Sequence, residues 1–195
     1  MKDWIGNTHS TFAALGASSH ADHNREANDY YATDPKAAEL LLEVEPQLCD
    51  IWECACGAGH LAKVFERYGK LAAASDLINR GYGKPNVDFL QCSRPHNGDI
   101  VTNPPFRYAL EFVQKALELI PHGRKVAMFL RIQFLEGKAR RKFFDEFPPQ
   151  TVYVFSHRIK CAMNGDFEAT KGSAALYAWF VWEKGWNGET RVRWI

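Results

Sequence analysis

The sequence predicts a parallel α/β sheet with helices on its faces and ligands at the carboxyl ends of its strands. Three observations carry that reading: strand and helix patterns alternate along most of the chain, an early strand runs directly into a glycine turn, and an aspartate closes the next strand. The 195 residues suffice for one well-buried domain and not for two of ordinary size. That domain is read as residues 29–195, behind a flexible arm of residues 1–28 that carries Gly, Ser, Thr, Asn and His with little apolar periodicity.

The elements follow in order. Asp34 caps a helix that Pro35 opens and Pro46 stops, with Ala37, Ala38, Leu40, Leu41, Leu42 and Val44 supplying a wide apolar face. Leu48 to Cys54 is a short strand leading through Gly57 and Gly59 into a helix from about His60 to Tyr68. Leu71 to Ser75 is a second strand, Val87 to Leu90 a third and Asp99 to Thr102 a fourth. A helix from about Tyr108 to Leu119 precedes a buried strand, Lys125 to Gln133. Arg140 to Phe147 reads as a helix, Thr151 to Phe155 as a strand and Ala174 to Trp182 as the final strand. Only nine residues, Leu77 to Pro85, join the second and third strands, and Gly81 and Gly83 oppose a helix there. The Gln91 to Gly98 gap is as short, so two helices are expected to be shortened or missing.

Composition narrows the function. A chain 46% hydrophobic and 13% aromatic can pack a core, which excludes wholesale disorder. Lys and Arg number 24 against 23 Asp and Glu, a net charge of +1, so a polyanion must be held by a local patch. The apolar run Ala174 to Trp182 is far short of the roughly 20 residues of a membrane span, and no secretory pattern opens the chain. The five cysteines, Cys49, Cys54, Cys56, Cys92 and Cys161, show no C-x-x-C pair, which favours reduced thiols and a cytoplasmic location. His20 and His23 lack further ligands nearby and read as solvated, so no metal is expected.

Two segments carry chemistry. In Glu53-x-x-x-Gly57-x-Gly59 the glycines let a ligand approach the backbone, and Asp76, about twenty residues on, can accept hydrogen bonds from ribose hydroxyls. A dinucleotide would call for a third glycine that is missing, so that reading ranks second. In Asn103-Pro104-Pro105-Phe106 two prolines stiffen a strand end. An exocyclic amine on an aromatic ring is a poor nucleophile because its lone pair is delocalised. The Asn103 amide oxygen and the Pro104 carbonyl could accept both of its N–H bonds and favour tetrahedral nitrogen, while Phe106 stacks on the ring. A nucleobase held in this way has left its stack.

Asn103-Pro104-Pro105-Phe106 with Glu53-x-x-x-Gly57-x-Gly59 resembles the S-adenosylmethionine-dependent amino-group methyltransferases, the N6-adenine DNA methyltransferases in particular. Asp29 to Pro35 and Phe134 to Lys138 are similar to segments of small phage and prophage members. The resemblance, spanning about Asp29 to Glu183, implies a Rossmann-like class I methyltransferase fold: a seven-stranded, mostly parallel sheet with an antiparallel last strand. It implies S-adenosylmethionine as cofactor, with Glu53, Gly57 and Gly59 at its methionine end, Asp76 on the ribose, Asp88 at the adenine amino group, and Tyr31 and Thr33 at the carboxylate. It implies methylation of an adenine flipped from double-stranded DNA, in a bacterial cell or phage-infected host.

No insertion large enough to read sequence is present, so specificity is expected to be short or relaxed. Arg131, Lys138, Arg140, Arg141 and Lys142 make the densest basic cluster, a candidate phosphate contact or a solvated helix face. The connection Ser156 to Ser173, with Arg158, Lys160 and a Gly165 hinge, is the other candidate substrate surface. Trp179, Trp182, Trp186 and Trp194 crowd the end of the chain, and the alternation favours core packing over base stacking. RNA adenine, a protein glutamine amide, and a binding module without turnover are the alternatives.

Overall fold

The computed structural model describes residues 30–163, 165, 167, 168 and 175–195. The expected arm, with His20 and His23, lies outside the described residues. So do residues 164, 166 and 169–174 of the candidate substrate connection.

Among the described residues the strands are β1 (Tyr31–Thr33), β2 (Ile51–Glu53), β3 (Leu71–Ala74), β4 (Ile100–Thr102), β5 (Lys125–Arg131), β6 (Thr151–Val154), β7 (Cys161–Met163), β8 (Tyr177–Glu183) and β9 (Arg191–Trp194). The helices are α1 (Lys36–Val44), α2 (Ala62–Arg67), α3 (Ala109–Leu119) and α4 (Lys138–Glu146). Seven strands form one sheet in the order β3-β2-β4-β5-β8-β6-β9, and β1 pairs with β7 in a separate antiparallel ribbon. Within the sheet only β8 runs antiparallel to its neighbours, β5 and β6.

Alternation along β5 divides the core between the two faces. Val126 and Met128 point into a cluster with Val113 and Ala116 of α3, Phe143 of α4, Phe180 and Trp182. Ala127 and Phe129 point into the opposite cluster, with Leu41 of α1, Phe65 of α2 and Trp179. Each large side chain so buried contributes about 2 kcal/mol, which explains why β5 and β8 read as nearly continuous apolar runs. Trp179 Nε1 donates to the Ala37 carbonyl at 2.8 Å and Trp182 Nε1 to that of Phe147 at 3.1 Å, so both indoles are core anchors with satisfied polar ends.

Three expectations need correction. Val87 to Leu90 forms no strand: the ladder beyond β3 shrinks to one bridge, Ser75 to Lys84. Pro85 lacks the next donor, Asn86 turns left-handed at φ 58°, and the Asp88 carboxylate accepts from Leu90 N–H at 3.1 Å to open a 3-10 turn, Phe89–Gln91. Phe89 is then buried against Trp52. The antiparallel strand is indeed the one that holds Trp179 and Trp182, but it is not the last. β9 follows it, pairs parallel with β6 and restores the count of seven at the opposite edge. The β1–β7 ribbon is the third departure, since neither segment carries a long apolar run. No α-helix forms between Leu77 and Gly98, as the spacing predicts.

Candidate active site

β2, β4 and β5 are parallel, so their carboxyl ends bring Glu53, Asn103 and Arg131 to one edge of the sheet. After β2 the chain turns at Gly57 and Gly59, both with positive φ, at 55° and 81°. A Cβ on Gly57 would lie 2.4 Å from the Tyr30 ring, and one on Gly59 would lie 2.5 Å from the Tyr82 ring. The close approach that these glycines permit is therefore made by two tyrosines. Tyr30 Oη accepts from Ala58 N–H at 3.3 Å, and the Arg80 guanidinium lies 4.2 Å above the Tyr30 ring. Asp76 pins the turn, its carboxylate accepting from Gly57 N–H and Ile78 N–H, both at 2.8 Å.

Glu53 is 2% exposed, and its Oε2 has no hydrogen-bond partner. Burial pushes its carboxyl well above the usual range and neighbouring Asp76 raises it further, while the Ala62 N–H offsets part of the shift. Burial pushes the Cys56 thiol up to about 12, so neither it nor fully buried Cys54 is poised as a nucleophile.

At the end of β4, Asn103 Nδ2 donates to Thr33 Oγ1 at 2.8 Å and to the Tyr31 carbonyl at 3.2 Å, with Cys161 Sγ at 3.9 Å. A carbonyl can only accept, so the amide nitrogen must face Tyr31 and the oxygen must face away. That oxygen, Oδ1, is buried without a partner, as is Thr102 Oγ1 beside it. Among the described residues no donor meets the Pro104 carbonyl, whereas that of Pro105 accepts from Tyr108 N–H at 2.9 Å. Glu53, Thr102 and Asn103 thus present three unpartnered polar atoms at the ends of adjacent strands.

Phe106 is half-buried in a row of rings. It lies 6.0 Å from Tyr31 and 5.8 Å from Tyr177, which it stacks on, and Arg131 covers its ring at 4.7 Å. Burial pushes the Tyr177 hydroxyl up to about 12.

The remaining predicted positions lie outside this cluster or are engaged locally. The Asp88 side chain caps the 3-10 turn. Arg140 donates to the Glu136 and Gln133 carbonyls, and Arg141 pairs with Asp145 at 2.8 Å. Lys138 and Lys142 are exposed, and Lys160 donates to the Phe167 carbonyl at 3.4 Å. Arg158 lines a shallow hollow of about 240 Å³ with Ile132, Val154, Phe155, Leu176 and Tyr177. Sequence reasoning missed Cys161 and Tyr177, because the first meets Asn103 across 58 residues and the second hides in an apolar strand. Among the described residues no group of His, Cys, Asp and Glu is arranged to hold a metal ion, and no helix is long and apolar enough to cross a membrane.

No protein-family model matches this sequence, and no curated protein is similar enough to match it. Solved structures do match. One, designated an RNA methyltransferase from Pyrococcus horikoshii, is 14% identical with a TM-score of 0.57, over 92% of this chain and 99% of that one. A class I S-adenosylmethionine-dependent methyltransferase, so designated, from Listeria monocytogenes is 13% identical at a TM-score of 0.61, over 95% of this chain and 71% of that one. The type I restriction-modification methyltransferase subunit of Streptococcus thermophilus is 15% identical at a TM-score of 0.61, over 84% of this chain but 46% of the larger subunit. At these identities the likeness is one of fold. The chain has the class I S-adenosylmethionine-dependent methyltransferase fold.

Proposed function

We propose that this protein transfers a methyl group from S-adenosylmethionine to the exocyclic N6 amine of an adenine in DNA. The observation that carries the reading is the Asn103 amide: its nitrogen is anchored by Tyr31 and Thr33, and its oxygen is buried, unpartnered and fixed in direction. An orphaned acceptor at a strand end costs stability unless a ligand donates to it.

The residues present fit the cofactor. Glu53 Oε2 and Thr102 Oγ1 are buried polar atoms without partners, suited to a ligand that brings N–H donors and positive charge, as the ammonium and sulfonium of S-adenosylmethionine do. Glu53 and the Gly57–Gly59 turn would hold its methionine end, Asp76 its ribose and Asp88 its adenine. Tyr30 and Tyr82 must then flank the cofactor at the turn. When bound, the cofactor supplies an electrophilic methyl group.

The chain's own part is positioning and charge placement. The Asn103 oxygen and the Pro104 carbonyl accept the two N6 hydrogens, which draws the lone pair out of the ring as the nitrogen attacks. Pro105 keeps the strand end stiff, and Phe106 supplies a face for the adenine. The surplus proton leaves N6 for water. Arg131 stands over Phe106, beside the incoming base, and Lys138, Arg140, Arg141, Arg158 and Lys160 are the candidate phosphate contacts. Helix α4 supports that role, because its basic residues occupy the first turns and Asp145 and Glu146 the last, the reverse of what the helix dipole favours.

Labelled methyl transfer offered in parallel to DNA, RNA and protein tests the reading, with digestion of the product. Label recovered as N6-methyladenine from DNA is the expected result. Label confined to RNA or to glutamine would replace the substrate, and no transfer to any of the three would remove the activity.

A further inference from the structure

The loop after β3 carries a cation toward the glycine turn. Two side-chain-capped turns hold that loop: the Asp76 carboxylate accepts from Ile78 N–H at 2.8 Å, and Asn79 Oδ1 accepts from Gly81 N–H at 3.1 Å. Arg80 lies between them and is partly buried. Its guanidinium stands 4.2 Å above the Tyr30 ring, and Tyr30 in turn packs over Gly57 and accepts from Ala58 N–H. Arg80 therefore reaches from the β3 side to the part of the turn proposed above for the methionine end of the cofactor. Its Nε is buried and, among the described residues, has no hydrogen-bond partner. Asp76 and Glu53 also act on the Tyr30 hydroxyl, so the cation shares this corner with two acids. Neither offers Nε an acceptor: Asp76 is engaged by Gly57 and Ile78, and Glu53 Oε2 is itself unpartnered.

A buried donor on a cation costs stability until an acceptor meets it. Nε and the adjacent Nη form the side of a guanidinium that holds a carboxylate through two parallel bonds. The carboxylate is the one anionic group of S-adenosylmethionine. Other groups near the turn are engaged elsewhere. The Thr33 hydroxyl accepts from Asn103, the Tyr31 ring lies 6.0 Å from Phe106, and Lys63 Nζ donates to the Ala58 carbonyl at 3.2 Å. We propose, on the cofactor reading given above, that Arg80 binds the carboxylate of the cofactor and that the Tyr30 ring is the platform holding its guanidinium in place. Glu53 then meets the ammonium and Arg80 the carboxylate of the same amino-acid end.

The test is calorimetry with two ligands, S-adenosylmethionine and decarboxylated S-adenosylmethionine, which keeps the ammonium and the sulfonium but lacks the carboxylate. The wild type should bind the first at least about 10-fold more tightly. Arg80→Leu and Arg80→Gln should each lose about 10-fold on S-adenosylmethionine and little on the decarboxylated form, so that the preference collapses. Arg80→Lys, which keeps the charge without the fork, should retain part of the preference. Tyr30→Phe, which keeps the ring, should retain most of it. Equal weakening of both ligands in Arg80→Leu and Arg80→Gln, or an unchanged preference in either, overturns the assignment. Binding needs no turnover and no methyl acceptor, so the result is independent of the substrate. A wild type that binds neither ligand would remove the cofactor reading and this inference with it, whereas one that binds both equally overturns the role of Arg80 alone.

Discussion

Single atoms at the strand ends decide what this site can do. Thr33 was expected at the cofactor carboxylate, yet it is 2% exposed and its hydroxyl accepts from Asn103. Its proposed part is to orient the amide. Thr33→Val should lower the methyl-transfer rate at least about 10-fold, with Thr33→Ser restoring most of it and cofactor affinity unchanged in both. Calorimetry showing weakened cofactor binding in Thr33→Val would return Thr33 to the cofactor. Glu53 gives a pH signature. Its folded carboxyl titrates above its ordinary value, so between the two the folded chain keeps a proton that the unfolded chain has lost. Stability contributed by the neutral form is full below the unfolded value and is lost as pH rises toward the folded one. Glu53→Gln cannot ionise. It should melt higher than the wild type at neutral pH, converge with it in acid and bind cofactor more weakly. Parallel melting curves across that range would contradict the burial argument.

The glycine turn shows how much one element could be read in advance. Strand, glycines and closing aspartate lie within about 25 residues, and each follows a local rule, so β2, the turn, β3 and Asp76 were legible. What the pattern could not give is the occupant of the space over the glycines, because Tyr30 and Tyr82 arrive from other segments. Gly57→Ala should cost about 1–2 kcal/mol for the left-handed backbone and, by pushing against Tyr30, reduce cofactor affinity. Gly69→Ala is the control, since Gly69 shares the positive φ of 64° but has nothing within 4 Å of an added Cβ. Wild-type cofactor affinity in Gly57→Ala would refute the placement of the turn. The lost strand at Val87 to Leu90 misled for a local reason, since its apolar alternation is genuine but Pro85 and Asn86 ahead of it end the ladder.

Across the molecule, legibility follows sequence separation. The core strands announce themselves by runs of apolar residues. The β1–β7 ribbon and β9 are three or four residues long, and β9 is exposed throughout, so neither leaves a periodic trace. Asn103 itself was legible through its prolines. Its support was not, because Thr33 lies 70 residues away and Cys161 lies 58. The near-neutral net charge hides the basic start of α4, which the local run Lys138 to Lys142 nevertheless shows. The most direct measurement of the central claim is the single-turnover rate of methyl transfer to DNA adenine by Asn103→Ala, alongside its cofactor affinity. A fall of at least about 100-fold in rate is expected, with cofactor affinity within a few-fold of wild type. An unchanged rate would contradict that claim.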